Sequence, residues 1–380
     1  SFFMPPANRS RSSRRHTLRS APPPSAPLPQ VRERLVGPVG SLPAMTHLWI
    51  RAEARATEQR TPIVPADAAR LVADGVTVTV EESPHRAFPI EEYVDAGCRV
   101  GPAGSWVDAP GDAYIVGIKE LPEEPAELRH AHVYFAHAFK GQDGAEELLA
   151  RFTRGGGELL DVEYLTREGR RVVAFGRWAG YMGAALAVLA ARGELQAPVT
   201  PTDQPTLDGV LAAGDAPVRA LVTGFRGRSG RGAVEALEVA GAEVTGWDVN
   251  DTRTVDHAAL LAHDVLVNCV VTRVPAEPFV RDRDLAADRR LRVVSDVTND
   301  VTSDLNLIPV NSAVTSWEEP VRRVADDPPL DVIAIDNLPS LLPREASESF
   351  SAELTPLIAD LDARSGAWVT AVEEFRRHTR

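Results

Sequence analysis

Lysine is almost absent from this chain. Lys119 and Lys140 stand against thirty-nine arginines in 380 residues. Arginine can serve as a surface charge, an ion-pair partner or a phosphate clamp, but its guanidinium stays protonated and cannot accept a proton. The two surviving lysines are therefore candidates for work that needs a titratable amine. Cysteine is as scarce: Cys98 and Cys269 fall in distant apolar stretches. That excludes a disulfide framework or cysteine zinc site and points to a reducing, cytoplasmic compartment. Long apolar runs are missing too. The longest run of small apolar residues, Trp178 to Ala191, is too short to span a bilayer. Positive charge is in deficit, and a formal net charge of −13 argues against nonspecific nucleic-acid binding.

What is present reads as a globular protein, with 44% hydrophobic and 25% charged residues and length enough for two cores. Residues 1–44 differ from the rest: seven Arg, one Glu and nine Pro cannot build a core, and the segment is expected to be disordered. Its Arg- and Ser-rich composition resembles a transit peptide; upstream sequence ahead of a start at Met45 is the plainer reading.

From Met45 onward strands alternate with helices, which implies an α/β fold with doubly wound, largely parallel sheets. Strands are expected at HLWIRAE, VTVTVEE, AYIVGIKE, HVYFAH, GELLDVEYL and RRVVAFG. Helices are expected over Pro65 to Asp74, Asp143 to Arg154 and Arg177 to Gly193. APVTPTDQPT reads as a linker. A second unit starts near Val218, with strands VRALVTG, EVTGWDV, DVLVNCVV, RVVSDVT and DVIAIDNL and a helix from Gly230 to Ala240. From Leu342 the chain reads as helices that pack back on one of the two units.

The clearest cofactor signal is LVTGFRGRSGRGAVEALEVAGAEVTGWD. Gly224, Gly227 and Gly230 follow a strand and open a helix, and Asp248 ends the next strand. Glycines let the backbone approach a pyrophosphate, the helix N-terminus stabilises its charge, and an acid at Asp248 suits the ribose hydroxyls of NAD. Arg228 in the loop leaves a 2′-phosphate open as the alternative. Lys119 and His137 each end an expected strand, and a group at the C-terminal end of a parallel strand faces the ligand crevice. His130, His132 and His137 fit no standard metal spacing, so no metal site is expected. Arg60, Arg170 and Arg171 lie beside strand ends, where each could hold a carboxylate or simply carry surface charge. Glu163 and Asp336 are acids inside apolar runs, where a partner is expected.

The segments LWIRAEARATEQRTPIVP, IVGIKELPEE, FAHAFKGQ, GRRVVAFGRWAGYMGAAL, GFRGRSGRGA, GWDVNDT and IAIDNLPSLLPREASESF occur in this order along most of the chain. The sequence from about His47 onward resembles the NAD-dependent, lysine-forming saccharopine dehydrogenases, within the alanine dehydrogenase and transhydrogenase group. The resemblance implies two Rossmann-like domains with a cleft between them. A substrate domain at 45–200 would be completed by helical residues 338–380, and an NAD domain would span 201–337. It implies the catalytic pair Lys119 and His137. Substrate contacts would come from Arg60, Gln142, Arg170 and Phe175, and modulating acids from Glu58, Glu120 and Glu163. Cofactor contacts would come from Gly227, Arg228, Asp248, Thr252, Val271, Thr298, Asn299, Asp300, Ile335, Asp336, Asn337 and Leu338. The implied cofactor is NAD, and the implied partners are saccharopine, lysine and 2-oxoglutarate, with nothing that requires more than a monomer. The family often has His at position 337, Cys at 229 and an aromatic residue at 271, where this chain has Asn337, Ser229 and Val271. Another amino-acid dehydrogenase of the group, or a silent NAD-binding module, is the alternative.

Overall fold

Short apolar runs such as Tyr114–Val116 and Val265–Asn268 are buried along their whole length, the pattern of parallel strands covered on both faces. The computed structural model describes residues 46–379; the Arg- and Pro-rich start expected to be disordered lies outside the described residues. Strands β1 (His47–Ile50), β2 (Thr77–Glu81), β3 (Arg99–Gly101), β4 (Tyr114–Val116), β5 (Ala131–Tyr134) and β6 (Glu158–Asp161) form one sheet in the order β3-β2-β1-β4-β5-β6. Every pairing is parallel, with α1 (Pro65–Ala73), α2 (Ile90–Asp95) and α3 (Ala145–Gly155) in the connections. The order reverses between β1 and β4, so a ligand crevice opens at the C-terminal ends of those two strands.

Most of the expected strands end early: β4 stops at Val116 and β5 at Tyr134, which leaves Lys119 and His137 each three residues beyond a strand end. β6 stops at Asp161 because its side chain accepts the Glu163 N–H and starts a 3-10 turn. Of RRVVAFG only β8 (Arg170–Arg171) is extended, paired antiparallel with β7 (Thr166–Arg167). The expected linker in turn contains the start of a helix. After α4 (Gly176–Arg192), Asp203 caps α5 (Gln204–Ala213) by accepting the Thr206 N–H, with Pro205 in the first turn, a start signal that the run of Pro and Thr concealed.

The second sheet comprises β9 (Arg219–Thr223), β10 (Glu243–Trp247), β11 (Val265–Asn268), β12 (Val293–Asp296), β13 (Arg322–Asp326) and β14 (Pro329–Ile333), in the order β10-β9-β11-β12-β14-β13. Only the edge strand β13 runs antiparallel, and the sequence reading missed it. Helices α6 (Arg228–Val239), α7 (Val249–Thr252) and α8 (His257–Leu261) accompany this sheet. Its switch point lies between β9 and β11, at the glycine loop. Two doubly wound sheets of Rossmann type are thus present.

The tail, α9 (Pro343–Leu354) and α10 (Trp368–His378), buries Phe350, Leu354, Leu361 and Trp368 in the core of the first sheet. Ser347 and Ser351 accept the N–H groups of Thr61 and Val64 there. The long helix α4 departs from the sequence grouping, which assigned it to the first unit. Its Tyr181, Ala185 and Val188 lie in the core of the second sheet, because its glycines let it dock on α6. A methyl group at Gly180 would overlap the Ser229 carbonyl, and one at Gly232 would overlap that of Arg177. Gly232→Ala must therefore spread the pair, at a cost of about 1–3 kcal/mol. A melting point lower by about 3–10 °C is expected. Gly209→Ala on α5, where nothing lies within 4 Å, should not lower it.

Candidate active site

The chain leaves β1 through Arg51, Ala52 and Glu53, and these two charges hold the backbone of Lys119. The Glu53 carboxylate accepts the N–H groups of Ile118 (2.7 Å) and Lys119 (3.0 Å), while Arg51 donates to the Lys119 carbonyl. Arg51 and Glu53 are themselves paired at 3.4 Å, with 1% and 5% of their side chains exposed. The Arg51 guanidinium fills the space where a side chain at position 117 would stand, which requires Gly117. Burial pushes the Glu53 carboxyl up. Lys119 is thus presented at the switch point of the first sheet from a fixed peptide. Its ammonium is held below the ordinary lysine value, first by burial and then by the charge of Arg60, while Asp336 and Glu58 pull the other way.

His137 leaves the neighbouring strand end: the Phe135 N–H donates to the Ile118 carbonyl (3.2 Å), so the segments carrying Lys119 and His137 run side by side. The His137 backbone is left-handed, with φ of 51°, and its N–H donates to Asp161 at 3.1 Å. Its ring stacks on Phe135 and places Nδ1 3.4 Å from a Glu163 oxygen. Glu163 also meets Lys140 Nζ at 2.5 Å and Arg171 Nη2 at 2.7 Å. The hydrogen bond from His137 and then the Lys140 and Arg171 charges hold its carboxyl at about 2. Burial pushes Asp161 up to about 6. The two lysines therefore differ. Lys140 is exposed and ion-paired, and Lys119 is the withdrawn one.

Arg60 lies fully buried across from Lys119. Its Nε and Nη2 donate to the two Glu58 oxygens (2.8 and 2.6 Å), and Nη2 also donates to Asn337 Oδ1 (2.6 Å). Its guanidinium lies over the Phe175 ring at 4.2 Å, and Phe175 stacks on Phe350. Nη1 makes no hydrogen bond among the described residues. Asn337 and Glu58 join the ends of the two sheets, since Asn337 follows β14. Gln142 accepts the Lys140 N–H at 2.8 Å. Arg170 is exposed and forms no ion pair among the described residues. Glu120 turns outward to an exposed pair with Arg55. His130 bonds the Ala109 carbonyl, and His132 is fully buried among aromatic rings.

At the end of the second sheet, Gly224 takes a φ of 68° and Gly227 caps α6. A Cβ at Gly230 would strike the backbone of Gly224 and Phe225, so the loop closes tightly on the first turn of α6, whose amides have no intrahelical acceptors. This cradle fits a dinucleotide pyrophosphate. Asp248 follows β10, and its backbone carbonyl accepts from the Thr252 hydroxyl. Arg228 does not turn toward Asp248. Its Nη2 donates to the carbonyls of Arg171 (3.0 Å) and Val172 (3.3 Å) in the other lobe. Arg226, which the sequence reading passed over, instead places Nε 3.1 Å from Asp248 Oδ2. After β11, Val271 is 76% exposed. After β12, Thr298 bonds Asp296, and Asn299 takes a φ of 55° beside Asp300. After β14, Asp336 is exposed between buried Ile335 and partly buried Asn337, with Leu338 buried.

Arg51, Glu53, Asp161 and Arg226 are the residues that sequence reading missed. For the first pair a signal existed: two charges two residues apart, directly after an apolar strand.

Residues 49–182 match the family described as alanine dehydrogenase/PNT, N-terminal domain. The chain is 42% identical over 358 residues to the saccharopine dehydrogenase (NAD+, L-lysine-forming) of Neurospora crassa, covering 87% of this chain and 96% of that protein. It is 38% identical over 360 residues to the enzyme of the same name from Candida glabrata, with the same coverages. Among solved structures, a transhydrogenase from Sinorhizobium meliloti superimposes with a TM-score of 0.62 at 17% identity, over 84% of this chain and 95% of that one.

Proposed function

The chain belongs to the NAD-dependent, lysine-forming saccharopine dehydrogenases, and from that premise we propose that it converts saccharopine, NAD and water reversibly to L-lysine, 2-oxoglutarate and NADH, with Lys119 and His137 moving the protons. Bound NAD supplies the two-electron acceptor for the hydride that leaves the carbon next to the secondary amine. Lys119, whose ammonium is held below the ordinary lysine value by burial and by the charge of Arg60, takes the proton from that nitrogen in its deprotonated form, freeing the lone pair that forms the C=N bond. His137 then takes a proton from the attacking water and returns one to the nitrogen as the C–N bond breaks, releasing lysine and leaving the carbonyl of 2-oxoglutarate. Glu163, fixed by Lys140 and Arg171, orients the imidazole.

The substrate carries three carboxylates. Arg60 Nη1, which makes no hydrogen bond among the described residues, and the exposed Arg170 are the groups assigned to two of them, and Gln142 and Phe175 would add further contacts. Glu58 and Glu120 modulate the charge around Lys119, Glu58 from within the buried pair and Glu120 from the rim. The amides opening α6, with Gly227 and Arg228, would hold the pyrophosphate, and Asp248 with Thr252 the ribose. Val271, Thr298, Asn299, Asp300 and the Ile335–Leu338 turn would line the nicotinamide end. A cytoplasmic setting agrees with two free thiols. Among the described residues no helix is long and apolar enough to cross a membrane.

The observation that carries this reading is the contrast between the lysines: only Lys119 is withdrawn from solvent, at a strand end beside a buried arginine. The test is oxidation of NADH in two mixtures. Lysine plus 2-oxoglutarate should support it, and pyruvate plus ammonia should not. Activity confined to the second mixture would overturn the assignment.

A further inference from the structure

Arg226 occupies the position where a dinucleotide fold decides between a ribose hydroxyl and a ribose phosphate. An acid at the end of the second strand accepts hydrogen bonds from the 2′- and 3′-hydroxyls of NAD and repels a 2′-phosphate, whereas an arginine beside it accommodates the phosphate. Here both groups are present, and they touch. Asp248 Oδ1 is committed to the Asn250 N–H at 2.8 Å, so Oδ2 is the oxygen left for a ribose, and Arg226 Nε sits on it at 3.1 Å.

Only Nε of Arg226 is engaged. Its Nη groups make no hydrogen bond among the described residues, and its side chain is 72% exposed against 19% for Asp248. The arginine also has a platform: its guanidinium lies 5.2 Å from the Phe225 ring centroid. That ring in turn occupies the space above Gly246 on β10 that a side chain would need. Arg231, one turn into α6, lines the same surface hollow as Phe225 and Arg226 and has no ion-pair partner among the described residues. The carboxylate that should exclude a 2′-phosphate is thus neutralised by a group whose free fork fits one.

We propose that the adenosine end of the cofactor site accepts 2′-phosphorylated dinucleotides alongside NAD, with Arg226 as the residue that sets the ratio. This rests on the dinucleotide reading of the glycine loop. It predicts opposite movements on removing the arginine. The phosphorylated ligand loses its partner and meets a bare carboxylate. The unphosphorylated one finds Asp248 Oδ2 released for its hydroxyls.

The test is the dissociation constant of NADH and of NADPH, followed by ligand fluorescence, for the full chain and for Arg226→Leu, with 2′-AMP and 5′-AMP as competitors. In the unaltered protein NADPH should bind within about tenfold of NADH. In Arg226→Leu it should weaken by about 10- to 100-fold, while NADH tightens by about two- to fivefold. The 2′-AMP competitor should lose its potency in the variant, and 5′-AMP should not. A preference for NADH above a hundredfold in the unaltered protein, or parallel changes for both ligands in the variant, would overturn the inference. Failure to bind either dinucleotide would overturn the cofactor-site reading on which it stands.

Discussion

Lys119→Met should lower turnover by about 10²- to 10⁴-fold, the range for losing a positioned proton acceptor, while the dissociation constant for NADH stays put. The size follows from where the amine sits. Burial disfavours the ammonium, and the nearby Arg60 disfavours it further; Asp336 and Glu58 only partly offset them. The lysine therefore gives up its proton at a lower pH than an exposed one, and a neutral amine is what oxidation of a secondary amine requires. In the direction of saccharopine oxidation, activity should rise with pH along a limb lying below the ordinary lysine value of 10.5. That limb should vanish in Lys119→Met. Lys119→Arg supplies the decisive control. It restores charge and length but cannot deprotonate, so it should remain as slow as the methionine variant. Recovery of turnover in the arginine variant would show that position 119 needs only a cation. His137→Gln, by contrast, should slow the hydrolytic half while sparing the limb set by Lys119.

The shape of this site was legible in part because parallel strands end where ligands bind. Apolar runs closing on IKE and FAH placed Lys119 and His137 on one edge, and the glycine loop after Thr223 placed a second edge opposite. What the sequence hid was everything that depends on the direction of a side chain across space. Arg226 and Arg228 are two residues apart in one loop. The start of α6 at Arg228 turns one toward the other lobe and leaves its neighbour on Asp248. Small residues in α4 announce close packing but not the partner, and only the fold shows that Gly180 and Gly232 face α6 and α4 in turn. The RRVAD edge strand β13 escaped because an exposed strand rich in charge lacks the apolar run that marks a buried one. Arg51 and Glu53 lie unremarked inside the expected strand HLWIRAE. Their role emerges only because the sheet order sets β1 beside β4.

Arg60→Ala should destabilise the protein by about 3–5 kcal/mol, the penalty for leaving a buried charge without its partner. Burial alone would push the Glu58 carboxyl up, but the charge and hydrogen bonds of Arg60 outweigh it and hold the group at about 2. With its folded value depressed below the unfolded one, Glu58 stabilises the fold above about pH 4.5 and loses that contribution as pH falls toward 2. Removing Arg60 reverses the sign. Burial is left as the leading influence, the carboxyl moves above its unfolded value, and the variant should become more stable, not less, as pH is lowered from 7.5 to 5. Melting curves at those two values test this directly, because loss of packing alone would shift both by the same amount. The companion is Glu58→Gln/Arg60→Met, which replaces the pair with uncharged groups of similar volume. Such replacements are often neutral for stability, so the double variant should regain most of the lost melting temperature and none of the reversed pH trend. It should not regain affinity for 2-oxoglutarate, since the Nη1 assigned to a substrate carboxylate is gone. A Michaelis constant for 2-oxoglutarate raised by about tenfold or more in a protein of restored stability would separate the substrate role of Arg60 from its structural one. An unchanged constant there would confine Arg60 to joining the ends of the two sheets.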